Sequence, residues 1–74
     1  MNIERFSEAL LAYNPSRKLL VAQLVGTDNV IVHMRGMGFP SIIVPMTIAG
    51  ACEADAQLCR RSVGEVSIDR ARQL

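Results

Sequence analysis

Leu19-Leu20-Val21-Ala22-Gln23-Leu24-Val25, Gly26-Thr27-Asp28-Asn29 and Val30-Ile31-Val32-His33-Met34-Arg35 form the stretch whose reading decides the fold. Two aliphatic, β-branched runs stand on either side of a cluster of turn residues, which predicts two strands and a hairpin. If Val25 and Val30 flank the loop, Val21, Gln23 and Val25 share a face with Val30, Val32 and Met34. That face is nearly all apolar and is expected to meet the core. Leu20, Ala22 and Leu24 then share the opposite, mixed face with Ile31, His33 and Arg35. A slip of one residue would exchange the two faces.

Upstream, Asn2 is placed to cap a helix over about 3–13, with Ile3, Phe6, Leu10 and Tyr13 on one face beside Ala9. Asn14-Pro15 stops it, because the residue before proline is pushed out of the α region. So short a helix is unstable alone. It either packs on the domain's own sheet or serves as a detachable arm for a partner.

Downstream, Gly36-Met37-Gly38-Phe39-Pro40 reads as a turn in which either glycine can take positive φ. The absence of a following helix and a nearby Lys argues against a phosphate cradle there. Residues 41–44 predict a third strand, ended or confined to an edge by Pro45. Ile48, Cys52, Ala56, Cys59 and Val63 recur at helical spacing and predict a helix over about 47–62. Gly50 weakens its first turns, and Gly64 is its natural stop. Residues 65–69 alternate polar and apolar, which predicts a last strand before a tail at 70–74; a short helix from Ser67 is the competing reading. The whole chain, 1–74, is thus one small α+β domain, an antiparallel sheet with two helices on one face.

Composition narrows the function. At 74 residues roughly 60% of the unfolded surface can be buried, so stability is marginal. Eight basic and seven acidic residues leave a net charge of +1, too little for long-range steering toward nucleic acid or anionic lipid. Exposed aromatic platforms are also scarce, which argues further against nucleic acid. No secretory signal or spanning segment is read, so a soluble, cytoplasmic protein is expected.

Chemistry-bearing residues are few. Cys52 and Cys59 are about 10.5 Å apart along a helix, beyond the ~7 Å Cα limit of a disulfide, and are expected to be two buried core thiols. His33 is the single histidine, and three suitable zinc ligands are hard to assemble around it. The acidic residues form no evident acid/base couple. No catalytic residue, metal or cofactor is expected, and a non-catalytic binding module is favoured over an enzyme.

The arginines carry the sharper expectation. Arg17 and Lys18 enter the first strand and Arg35 ends the second, so antiparallel pairing brings them to one end of the hairpin. Arg5 and Phe6 offer a similar cation beside an apolar group on the first helix. Arg5, Phe6, Arg17, Lys18 and Arg35 are therefore the candidate partner-binding residues. Arg60, Arg61, Arg70 and Arg72 cluster in the last third of the chain.

With its opening Met1-Asn2-Ile3-Glu4-Arg5-Phe6-Ser7-Glu8, its size and its lack of catalytic residues, the chain resembles the very small bacteriophage regulators that bind host RNA polymerase. The likeness is general over the whole chain and transfers no functional residue. It implies a polymerase subunit as partner and an effect on transcription. A homo-oligomeric structural subunit is the alternative, with a small nucleic-acid-binding module behind it.

Overall fold

A computed structural model describes the backbone of residues 1–36, 38 and 40–73, and side chains as far as residue 61, Met37 and Phe39 excepted. The elements are α1 (Ile3–Tyr13), β1 (Leu19–Gln23), β2 (Asn29–Met34), β3 (Ile42–Pro45) and α2 (Ile48–Gln73). The strands form one antiparallel sheet in the order β1-β2-β3. This is the small α+β fold that the hairpin predicts.

Local rules account for α1. The Asn2 side chain accepts from the Arg5 amide at 2.9 Å, satisfying a donor that the helix itself leaves open. Asn14 leaves the helical conformation before Pro15. Phe6 and Leu10 are fully buried, with Ala9 packed beside them, so α1 docks on the domain's own core. Tyr13, at the end of the expected stripe, is half exposed.

The hairpin keeps its expected faces but not its expected loop. Gln23 pairs with Val30, Val21 with Val32 and Leu19 with Met34. The Leu24 amide still bonds the Asn29 carbonyl at 3.0 Å, so the loop is Val25 to Asp28 rather than Gly26 to Asn29. The pairing therefore lies two residues from the expected one, and a shift of two preserves which side chains share a face. Val25 leaves the core face and is fully exposed. The physical reason lies in the turn. Thr27 donates its amide to Leu24 O at 3.1 Å, which puts Gly26 at the third turn position, where its φ of 78° is required.

β3 pairs Val32 with Ile42 and Val30 with Val44. Gly36 takes the positive φ in the turn between β2 and β3 (81°); Met37 and Phe39 lie outside the described residues. Pro45 ends β3 on a sheet edge, where its missing N–H breaks no ladder. The core unites Phe6 and Leu10 of α1, Val30, Val32, Ile42 and Val44 of the sheet, and Ala51, Ala54 and Leu58 of α2. Both helices thus cover the same sheet face.

α2 agrees with expectation in its start near residue 47 and departs from it in two other features. It starts at Ile48, because Thr47 caps it: Thr47 Oγ1 accepts from the Gly50 amide at 2.9 Å. Gly50 is buried, and a Cβ there would run into the Pro45 carbonyl. The glycine therefore lets the first turn press against the end of β3. First, the buried stripe is Ala51, Ala54 and Leu58, while Ile48, Cys52 and Cys59 are exposed and Ala56 is half-buried. The helix is turned so that Ala51, Ala54 and Leu58 join Phe6, Leu10 and Ile42 in one buried cluster. The two cysteines are consequently not core thiols. The side chain of Val63 lies outside the described residues.

Second, α2 continues through Gly64 to Gln73, so the strand expected over 65–69 and the tail from 70 are both helix. A glycine inside a helix costs only ~1 kcal/mol relative to alanine. Extending an existing helix gains a hydrogen bond for each residue fixed, and Arg70, Ala71, Arg72 and Gln73 are strong helix formers. Five alternating residues do not outweigh that.

Candidate interaction surface

Among the described residues, none covers the sheet face turned away from the helices. Leu20 pairs with His33, and Ala22 pairs with Ile31, which pairs in turn with Ile43, so these side chains share that face. Leu20 and Ile43 are 48% and 58% exposed. Ile31 and His33 are half-buried. His33 Nδ1 is shut off from solvent and has no hydrogen-bond partner among the described residues.

Next along the ladder, the Arg35 amide donates to Lys18 O at 2.8 Å, extending the pairing by one rung. Lys18 and Arg35 are therefore opposite one another on the uncovered face, and both are exposed. Beside them is an open groove of about 320 Å³, lined by Asn14, Ser16, Arg17, Lys18, Met34 and Arg35. The hairpin thus brings Arg17, Lys18 and Arg35 to one end, as the sequence predicts.

Arg17 has a different role from its neighbours. Its Nη1 meets Asp55 Oδ1 at 2.6 Å, its Nη2 donates to Cys59 Sγ at 3.1 Å, and its side chain is only 8% exposed. It fastens the entry of β1 to α2 instead of facing a partner. Phe6 is fully buried in the core and presents no contact surface, whereas Arg5 is exposed on α1, away from the groove lining. Arg60 forms a long ion pair with Glu53 (3.8 Å), and Arg61 Nη1 donates to Pro40 O at 2.7 Å. The side chains of Arg70 and Arg72 lie outside the described residues.

A second cluster adjoins the Arg17 anchor. The hydrogen bond with the Cys52 side chain, followed by the charge of Cys52, loss of hydration and the charge of Asp55, raises the Tyr13 phenol above its ordinary 10.0. Both cysteines are free thiols. Among the described residues no three His, Cys, Asp or Glu side chains are grouped to hold a metal ion. No helix among them is long and apolar enough to cross a membrane.

The fold and surface define a small α+β domain with one sheet face that no described residue covers and a basic groove at its end. Compared with protein-family models, with curated proteins and with solved structures, the chain matches none.

Proposed function

We propose that this domain is a non-catalytic protein-binding module that docks a partner protein on the outer face of its sheet. The observation that carries this reading is that face itself: Leu20 and Ile43 stand half exposed on a sheet whose other side the helices cover. Antiparallel sheets are often bare on one side, but that side is then polar; here Leu20, Ala22, Ile31 and Ile43 make it apolar. Lys18 and Arg35 supply a charged rim beside this patch, the arrangement of an interface with a desolvated centre. A standard interface of ~800 Å² per partner would take about a sixth of the domain's 5039 Å² surface.

The resemblance to phage regulators makes bacterial RNA polymerase the first partner to test. The experiment is affinity measurement against purified polymerase, with capture from bacterial lysate in parallel, using the full chain and a Leu20→Ser/Ile43→Ser variant. Neither residue belongs to the core, so the variant is expected to fold and to bind at least about tenfold more weakly. Equal binding by a folded variant would overturn the outer face as the docking site. Light scattering separates the competing reading, in which the same face joins copies of this chain.

A further inference from the structure

We infer that the groove between the α1–β1 connection and the end of β2 takes a carboxylate from an extended acidic segment of the partner, with Lys18 and Arg35 as its ligands. This rests on the protein-binding reading above and names the chemistry of what binds.

The groove offers donors with almost nothing to satisfy them. Among the described residues Lys18 and Arg35 have no ion pair, although backbone pairing sets them side by side on one face. Among the described residues the acid that meets this end, Asp55, is held by Arg17, which therefore neutralises it without adding a third free cation. Asn14 Oδ1 already accepts from Ser16 Oγ at 2.7 Å and Ser16 N at 3.3 Å, which leaves its amide nitrogen as a donor. Half-buried Met34 adds an apolar wall that lowers the local dielectric. Two cations and a neutral donor that no described acid opposes call for an anion, and guanidinium binds a carboxylate through two parallel hydrogen bonds.

What lies beside the groove selects the bearer of that anion. On the same face, the next rungs are Leu20–His33 and then Ala22–Ile31–Ile43, each step of two residues advancing about 7 Å. An extended peptide has the same period. An acidic side chain over Lys18 and Arg35 would therefore place the residue two positions along over Leu20, and the next over Ile31 and Ile43. A nucleic-acid backbone would need further cations at the spacing of its phosphates; those rungs supply aliphatic side chains and the half-buried His33 instead. A cavity of about 320 Å³ suits one carboxylate side chain and its neighbours.

The test uses the isotope-labelled 74-residue chain and a capped, extended peptide with aspartate at one position and leucine two and four residues along, the intervening residues being threonine. NMR titration should move the amides of residues 14–18 and 33–36, and rising ionic strength should weaken the binding. Replacing aspartate with asparagine in the peptide, or making Lys18→Gln/Arg35→Gln in the protein, should each cost at least about tenfold in affinity. Lys18→Glu/Arg35→Glu should reverse the preference, favouring a peptide with lysine in place of aspartate. Equal binding of the asparagine peptide, or tighter binding of inorganic phosphate or a DNA oligonucleotide at these amides, would overturn the assignment. Shifts confined to residues 20–24, 31 and 43, unchanged in the Gln variant, would overturn the groove while leaving the sheet-face reading intact. No shift with any peptide, together with retained polymerase or lysate binding that depends on Leu20 and Ile43, would do the same.

Discussion

Arg17 and Asp55 are joined at 2.6 Å across 38 positions of sequence, with side chains 8% and 20% exposed. The pair ties the loop entering β1 to the middle of α2, beside the Cys59 sulfur. Removing one member of such a pair leaves a charge in a poorly hydrated place, at a cost approaching ~3 kcal/mol. Arg17→Ala and Asp55→Ala are each expected to lower the denaturant midpoint sharply, and Arg17→Met/Asp55→Leu to lower it less than either. Single variants as stable as the parent would show that the pair holds nothing. Arg17 is thus a poor probe of binding, since its loss endangers the fold.

Register is tested by Val32 and Ile31. Val32 is fully buried against α1 and α2, and Ile31 faces outward beside Ile43. Val32→Ala should cost about 1–2.5 kcal/mol in equilibrium unfolding, and Ile31→Ala less, although it removes more atoms. The reverse order would mean that the helices cover the other face.

Gly50 offers a test in which local propensity and packing oppose one another. Alanine is the better helix former by ~1 kcal/mol. Its Cβ, however, would meet the Pro45 backbone, which cannot swing away as a side chain could. Gly50→Ala should therefore lower the melting temperature, by an amount equivalent to ~1 kcal/mol or more. A stabilised variant would remove the close contact between α2 and β3.

The cysteines should behave as surface thiols. With Cys52 and Cys59 both exposed, titration of the native protein with a thiol reagent should count two reactive groups without denaturant. Thiols that react only after unfolding would return both residues to the core.

Tyr13 gives a pH prediction free of overlap, because it is the single tyrosine. Its phenol is raised above 10.0, first by the hydrogen bond with Cys52. A raised folded value means that the folded state holds the proton more tightly. The stability this contributes is present below the unfolded value and is lost as pH rises through the folded one, a window lying above pH 10. Phenolate absorbance should show a midpoint above 10.0, moving downward in Cys52→Ala. A midpoint at or below 10.0 in the parent would remove the contact.

Features that depend on near neighbours are legible in the sequence. Asn2 and Pro15 bound α1, Gly26 and Asp28 lie in a turn, and alternation along 30–34 assigns Val30 and Val32 to the covered face. Hydrogen bonding and chain geometry within a few residues decide these, and the code is read locally. The rotation of α2 is set by long-range packing. Periodicity favours the larger Ile48, Cys52 and Cys59, but a helix close to a sheet buries small residues, and Ala51 and Ala54 share the buried cluster with Phe6 and Leu10. The passage of α2 through Gly64 likewise escaped local signals, since one unfavourable residue does not end a helix already formed. The groove was half legible: hairpin pairing brings Arg17, Lys18 and Arg35 together, but no local feature distinguishes them. Asp55, 38 residues away from Arg17, makes one cation structural and leaves Lys18 and Arg35 exposed at the groove. That division depends on a contact between distant parts of the chain, which exists only once the core has brought α2 against the sheet.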